Sequence, residues 1–270
     1  MARWTAVGEE SGRLAESRAP RAGLRSPLAL LIGRVVLVGA ACTAVWICLG
    51  LMGAWTPYPP APLFAAIAML PVNVLCLFWV RGLLRREGRG LQDLIRFSWR
   101  RLGVDILFGL LWVVVLSLPF AVTIVGVMWL LHGDAMLGAF ETVFFDPDSV
   151  PVLPQGVLAV LAVVAVLTFA PLNAPAEELV YRGYGQQGLA RRLPLAAAIG
   201  ISAVLYGVQH AFYAPTADAV LVYVCAFFVW GVGSGVIAYR QGRLMPIILA
   251  HGLVDLGTSA PALVILFLPQ

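Results

Sequence analysis

Six ionisable side chains inside otherwise apolar segments are the residues of this chain that could carry chemistry. They are Glu177, Glu178, Arg182, His210, His251 and Asp255. An ionisable side chain at the depth of a lipid bilayer costs about 2.5–3.5 kcal/mol, so each one requires a partner or a water-filled cavity. We therefore take these six residues as the candidate site.

The two adjacent glutamates must have different partners. Glu178 and Arg182 are four residues apart on a predicted helix, so they share one face and can neutralise each other. Glu177 is rotated by about 100° from Glu178 around that helix, so the same arginine cannot easily reach both carboxylates. A structural alternative is that Pro175 begins a helix and that both glutamates lie in its first turn, where the helix dipole favours anions.

Glu177 and His210 have the chemistry of a water-activating pair. A carboxylate and an imidazole that face each other in a low-dielectric cavity can hold a water molecule and take its proton as it attacks an amide carbonyl. Counted along their helices from the Arg191–Arg192 turn, both residues lie roughly 20–27 Å away. They can therefore meet, although an isolated histidine in an apolar helix is more often a hydrogen-bonded interior residue.

His251 and Asp255 are one helical turn apart and could stabilise the oxyanion of an amide hydrolysis. The same counting places His251 closer to the helix end. We therefore expect a bent or re-entrant helix near Pro246 that brings His251 level with the other residues.

The sequence offers little support for other hydrolytic sites. The motifs GxSxG and HExxH are absent, and the four cysteines lie outside the candidate segments. A zinc site built from His210, His251 and a glutamate is stereochemically allowed. We favour no bound metal, because Glu178 already has Arg182 as its charge partner.

The composition predicts that helices in a lipid bilayer position these residues. Hydrophobic residues make up 61% of the 270 residues and charged residues only 12%, which excludes an ordinary soluble domain. The apolar runs that approach or reach the length of a membrane span are 35–54, 61–80, 106–131, 156–170, 195–212, 219–239 and 247–268. The sequence predicts an all-α, polytopic transmembrane helix bundle with an intramembrane catalytic core.

The number of spans depends on the prolines after the fourth run. Pro171 and Pro175 either kink one long helix or mark a turn between two helices. The prediction is therefore seven or eight spans.

The distribution of arginines predicts the orientation. The segment between the second and third runs is rich in arginine and is expected to be cytoplasmic, as is the N-terminus. If the prolines kink one long helix, Arg191 and Arg243 also lie on the cytoplasmic side. Arg34 and Asp105 lie near the ends of runs, where we expect them to snorkel to the lipid headgroups.

Three regions follow from these patterns. Residues 1–26 form an arginine-rich cytoplasmic tail that we expect to be disordered, residues 27–155 form N-terminal helices nearly free of intramembrane charge, and residues 156–270 form the catalytic core. The basic residues are all arginines and form no groove, so we do not expect a nucleic-acid partner. We expect the lipid bilayer as a partner. The absence of lysine, with abundant arginine, alanine and glycine, indicates a GC-rich genome, and we expect a bacterial inner membrane protein.

Three short motifs resemble those of one membrane protease family. Residues 176–183, AEELVYRG, are similar to the EExxxR motif of the CAAX prenyl endopeptidase and bacteriocin-processing family, also called the CPBP or Abi family. Residues 206–210, YGVQH, resemble its FxxxH motif, and residues 251–255, HGLVD, resemble its HxxxN or HxxxD motif. All three occur in the order of the family.

This resemblance implies an integral membrane endopeptidase that acts on a membrane-associated peptide or protein, either a prenylated CAAX-type substrate or a bacteriocin-related one. Glu177 would activate water with His210, Glu178 and Arg182 would shape the site, and His251 with Asp255 would form the oxyanion side. The chain departs from the pattern at Tyr206, which replaces Phe, and at Asp255, where Asn is usual. An ionised Asp can accept hydrogen bonds but cannot donate one, so it could instead orient His251.

Two other classes of protein could carry the same buried cluster. A proton-coupled transporter or channel would use the Glu and His residues as a relay, but it would need polar residues that continue to both membrane faces. A non-catalytic membrane scaffold or immunity protein would keep the cluster for packing alone.

Overall fold

The computed structural model describes residues 23–149 and 151–267, and within them it contains helices and no β-strand. The main helices, which we number in chain order, are α1 (Arg25–Leu51), α2 (Pro62–Arg86), α3 (Leu102–His132), α4 (Met136–Phe144), α5 (Gln155–Ala190), α6 (Leu195–Gln209), α7 (Ala217–Gln241) and α8 (Met245–Ser259). Shorter helical pieces are Gln92–Ile95, Trp99–Arg101, Gly133–Ala135, Pro147–Ser149, His210–Tyr213 and Ala260–Phe267.

Seven helical segments of the described chain are long and apolar enough to cross a membrane. Each segment contains one of the helices α1–α3 and α5–α8. Helix α4 is not a separate span, because it follows α3 within one segment. The predicted multi-pass helix bundle is thus confirmed. Most of the predicted tail lies outside the described residues, and its end at residue 26 is wrong because Arg25 and Ser26 belong to α1.

Helix α5 settles the number of spans. It continues through Pro171 and Pro175 from Gln155 to Ala190 without a turn, so the described residues contain seven such segments and not eight. Prolines are tolerated inside membrane helices where neighbouring groups satisfy the freed backbone carbonyls. Glu177 and Glu178 lie well inside this helix, so the alternative in which they cap a helix that begins at Pro175 is wrong.

The seven long helices form a closed ring of neighbours. Their packed pairs run in the order α1–α2, α2–α5, α5–α8, α8–α3, α3–α7, α7–α6 and α6–α1. Helix α3 contributes little to the interior, since most of its side chains face outward.

The second half of α5 lies inside this ring. Residues Leu179–Gln186 form a π-helix in which all eight residues are buried, and they contact α1, α2, α6 and α7. A Cβ atom at Gly185 would lie 2.6 Å from the Leu31 side chain, so glycine permits α1 to approach this closely. π-Helical segments inside α-helices are frequently found at functional sites.

Contacts at one end of the bundle group the arginine-rich turns together. Glu87 accepts a hydrogen bond from Tyr184 and lies 3.5 Å from Arg191, and Arg243 forms an ion pair with Asp105. The turns that follow α5 and α7 therefore lie at the same end as the arginine-rich segment between α2 and α3. This is the arrangement expected for a kinked α5. The snorkelling prediction for Asp105 is wrong, because its side chain is buried against Arg243.

Candidate active site

Glu177 has one carboxylate oxygen held tightly and one left free of hydrogen bonds. Its Oε1 accepts from Arg34 Nη2 at 2.9 Å and from Gln209 Nε2 at 2.7 Å. Its Oε2 is buried, has no hydrogen-bond partner in the described part of the chain, and lies 3.6 Å from His251 Nε2. The partner that Glu177 was predicted to need is therefore Arg34, from helix α1.

Arg34 is a buried hub, not a snorkelling residue. It is 0% exposed, and its Nη2 lies within hydrogen-bond distance of Asn73 Oδ1 at 3.0 Å, Asn173 Oδ1 at 3.2 Å and Glu177 Oε1. Its Nε donates to Gln209 Oε1 at 3.2 Å. The prediction that Arg34 reaches the headgroups is wrong, because polar groups from four other positions in the bundle pair with its Nε and Nη2 in the interior. Its Nη1 is buried without a partner in the described chain.

The predicted pair of Glu178 and Arg182 is present, and a third residue completes it. Arg182 Nε lies 3.5 Å from Glu178 Oε2. The same guanidinium donates to Ser234 Oγ through Nε at 2.9 Å and Nη2 at 2.6 Å, and it lies 4.1 Å from the centre of the Tyr206 ring. Helix α7 and the ring of Tyr206 thus hold Arg182 beside Glu178.

His251 lies among all three carboxylates. Its Nδ1 donates to Glu178 Oε1 at 2.9 Å, and its Nε2 lies 3.6 Å from Glu177 Oε2 and 3.5 Å from Asp255 Oδ1. Pro246 does not bend the helix as predicted. It lies in the first turn of α8, where a proline needs no hydrogen-bond donor, and the helix then carries His251 directly into the cluster.

Asp255 orients its neighbours through both oxygens. Its Oδ2 accepts from Asn173 Nδ2 at 3.2 Å, while Oδ1 faces the imidazole of His251. The charge count of the cluster is close to balanced, because three carboxylates face the guanidiniums of Arg34 and Arg182. With an imidazolium at His251 as the third positive charge, the cluster as a whole is neutral.

His210 lies beside this cluster and contacts it through aromatic rings. It begins the 3₁₀ turn after α6, its ring stacks on Phe227 at 3.5 Å between centroids, and its edge meets Tyr206 at 4.7 Å. Its Nδ1 lies 2.7 Å from the Tyr206 carbonyl oxygen, which can only accept, so Nδ1 carries the proton. Its Nε2 makes no hydrogen bond with the described residues and is left as an acceptor.

The structure thus brings five of the six predicted residues into one network of contacts and places the sixth next to it. Within the described ranges, no hydrogen bond or ion pair joins His210 to Glu177, whose contact in this region is the preceding residue, Gln209. Residues 27–155 were predicted to be nearly free of intramembrane charge, and the charge that α1 contributes to the cluster is Arg34.

Sequence reasoning missed four polar members of the network: Arg34, Asn73, Asn173 and Gln209. Each one is a strongly polar residue within or at the end of an apolar run, the same signal that identified the six candidates. Applying that signal evenly along the chain would have found them.

Comparison with known families agrees with this geometry. Residues 157–257 match the model of a family described as Type II CAAX prenyl endopeptidase, Rce1-like. Residues 157–257 are thus similar to a CAAX prenyl endopeptidase domain. The matched segment contains all six predicted site residues, whereas Arg34 and Asn73 lie outside it. Comparisons with curated proteins and with solved structures give no match.

The matched segment is part of an integral, multi-pass membrane protein. In the described part of the chain, no group of three or more His, Cys, Asp or Glu side chains is arranged to hold a metal ion. The carboxylates instead face guanidinium and imidazole groups, so these residues do not fit a zinc site, and we derive no catalytic step through a metal.

Proposed function

We propose that this protein is an intramembrane endopeptidase in which Glu177 acts as the general base and His210 helps to hold the attacking water. The observation that carries the proposal is the asymmetry of the Glu177 carboxylate. Arg34 and Gln209 hold Oε1, while Oε2 has no hydrogen-bond partner in the described chain and is available to accept a proton.

The proton transfers follow from this arrangement. The water oxygen forms a bond to the carbonyl carbon of the scissile amide, and Glu177 Oε2 takes one proton from the water. His210 Nε2 accepts a hydrogen bond from the other water proton, because Nδ1 is occupied by the Tyr206 carbonyl. Glu177 then returns its proton to the amide nitrogen as the carbon–nitrogen bond breaks. The charge on Glu177 is the same at the start and the end.

The other charged residues position this pair. Glu178 lies beside Arg182 and accepts a hydrogen bond from His251 Nδ1. This hydrogen bond fixes the imidazole at the centre of the cluster. We place the carbonyl oxygen of the substrate on the His251 and Asp255 side. Within this side, Asp255 accepts hydrogen bonds and orients His251 and Asn173 and does not itself donate.

The substrate is a peptide or protein at the membrane. The family match supports a CAAX-type substrate, and a bacteriocin-related or other lipid-anchored peptide is the second candidate class. We place the N-terminus and the arginine-rich end of the bundle in the cytoplasm of a bacterium, in its inner membrane, on the basis of the positive-inside rule.

The test uses the full chain in proteoliposomes with two fluorogenic peptides of one sequence, one farnesylated at a CAAX cysteine and one unmodified. We expect the wild type to cleave the farnesylated peptide faster. Glu177→Gln keeps the side-chain size and should lower kcat by at least roughly 1,000-fold, and His210→Ala should lower it by roughly 100-fold or more. Undiminished cleavage by either variant contradicts the mechanism.

Glu87→Gln is the matched control for the carboxylate substitution. Glu87 lies at the arginine-rich end of the bundle, so its loss should leave kcat within about twofold of the wild type. A zinc chelator should not change the rate. If the wild type hydrolyses neither peptide but proteoliposomes show ion flux, the transporter class is favoured instead. If the Glu177→Gln variant keeps the full biological effect of the wild-type protein, the scaffold class is favoured instead.

A further inference from the structure

Several buried donors around the site have no hydrogen-bond partner within the described residues. They are Tyr206 OH, Arg34 Nη1, Asn73 Nδ2, Arg182 Nη1 and Trp230 Nε1. The phenol oxygen of Tyr206 is buried and accepts and donates no hydrogen bond there, although the residue is only 1% exposed. A buried hydroxyl without a partner costs about 1–3 kcal/mol, so its presence at this point needs a reason.

Contacts of the Tyr206 ring place this hydroxyl at the site. The ring lies 4.7 Å from the His210 ring and 6.2 Å from the His251 ring, between centroids. The guanidinium of Arg182 lies over it at 4.1 Å. The hydroxyl itself is buried, so it lies in the interior of the bundle beside these residues and not towards lipid.

The reaction needs a donor beside both histidines of the site. A tetrahedral intermediate places negative charge on the former carbonyl oxygen, and stabilising it requires N–H or O–H groups directed at that oxygen. Asp255 is an acceptor towards Asn173, and the Nε2 of His251 faces two carboxylates. Arg182 uses Nε and Nη2 for Ser234 and keeps Nη1 unpaired in the described chain. Among the unpaired donors, Tyr206 is the one whose ring contacts the rings of both His210 and His251.

Resting on the endopeptidase function proposed above, we propose that the hydroxyl of Tyr206 is a catalytic residue that donates a hydrogen bond to the oxyanion of the tetrahedral intermediate. Asp255 is an acceptor towards Asn173 and cannot supply the donor that an asparagine at its position would offer. The hydroxyl of Tyr206 therefore compensates for this missing donor.

The first test is Tyr206→Phe, which removes only the hydroxyl. We expect kcat to fall by roughly 100-fold with KM changed by less than about twofold, because an oxyanion donor acts mainly in the transition state. The thermal midpoint in detergent should stay the same or rise, since the variant removes an unpaired buried hydroxyl. A kcat within twofold of the wild type overturns the inference, and so does a loss of kcat accompanied by a lower thermal midpoint.

Tyr184→Phe is the matched control. Tyr184 has the same side chain in the same bundle, but its hydroxyl donates to Glu87 at 2.7 Å, away from the cluster. We expect the reverse result, with kcat unchanged and the thermal midpoint lowered by a few degrees.

A phosphinic peptide with the sequence of the substrate gives a second readout, because its charged oxygen resembles the oxyanion. Tyr206→Phe should weaken the inhibition constant of this peptide at least tenfold while substrate KM is unchanged. The indole nitrogen of Trp230 is also buried and unpaired in the described chain, with its ring 6.4 Å from that of His251. If only Trp230→Phe weakens the phosphinic peptide, Trp230 is the donor and the assignment to Tyr206 is overturned.

A double variant tests whether the Tyr206 hydroxyl compensates for the missing donor at Asp255. Asp255→Asn in the Tyr206→Phe background restores an amide donor, and we expect it to recover at least tenfold of the lost kcat. If the kcat of the double variant does not recover, the compensation of Asp255 by the Tyr206 hydroxyl is contradicted. Normal kcat in Tyr206→Phe together with an inactive Glu177→Gln would refute the role of Tyr206 alone, whereas an active Glu177→Gln would refute the proposed function itself.

Discussion

The first two helices and the family-matched segment contribute to the same cluster in different ways. The matched segment supplies the proposed reacting groups together with a local ion pair, Glu178 and Arg182, one helical turn apart. Helices α1 and α2 supply no candidate base or acid. They supply Arg34 and Asn73, which reach Glu177 and its surroundings from distant points in the chain.

This difference shows where the stability of the site comes from. The pair of Glu178 and Arg182 forms wherever the helix forms, because its spacing is built into the helix. The pair of Arg34 and Glu177 forms only when α1 is docked against α5. The charge balance of the cluster thus depends on a cation from outside the family-matched segment. Four substitutions and one control test how far this dependence goes.

Arg34→Leu should have the largest effect on the fold. It leaves Glu177 buried without its cation, and removing one partner of a buried pair costs about 3–5 kcal/mol. We expect the free energy of unfolding, measured in mixed micelles, to fall by about that amount. Peptidase activity should fall too, since Oε1 is no longer held by the guanidinium.

Arg25→Leu is the matched control, because Arg25 is on the same helix and exposed. It should change the free energy of unfolding by no more than about 0.5 kcal/mol. Equal effects of the two substitutions would show that Arg34 acts through general helix or lipid properties and would break the comparison between the two regions.

Two asparagines on either side of Arg34 sharpen the comparison. Asn173 uses both ends of its amide, towards Arg34 and Asp255, so Asn173→Leu should lower the free energy of unfolding by about 2–3 kcal/mol. Asn73 donates no hydrogen bond in the described chain, and its amide nitrogen is buried without a partner. Asn73→Leu should therefore cost about 1 kcal/mol or less, and the same unfolding measurement would contradict this account if the order were reversed.

Arg191→Gln should have the smallest effect. The Arg191 side chain is 44% exposed and lies 3.5 Å from Glu87, and an exposed ion pair of this kind contributes about 0–1 kcal/mol. We expect a change in the thermal midpoint that is small at low salt and vanishes at high salt. A large change that persists in salt would assign the arginine-rich end a structural role comparable with that of the buried cluster.

The parts of this protein that were predictable have local causes. The helical spans follow from apolar runs longer than the hydrocarbon core, and the pair of Glu178 and Arg182 follows from helical spacing. The number of spans was left open, because the effect of Pro171 and Pro175 depends on whether neighbouring helices satisfy the backbone around them. The role of Arg34 was predicted wrongly, because a lone charge near the end of a run can either snorkel or pair inside, and its sequence neighbours do not distinguish the two.

The sequence by itself determined that the chain is a membrane helix bundle and that Glu178 pairs with Arg182. Apolar length and helical spacing are properties of single segments, and they do not change when helices move relative to one another. Only the tertiary structure decided that Arg34 pairs with Glu177, and that one oxygen of this carboxylate and the hydroxyl of Tyr206 have no hydrogen-bond partner among the described residues. These features depend on which helices touch and at what height. The closed ring of seven helices around the π-helical segment of α5 fixes both.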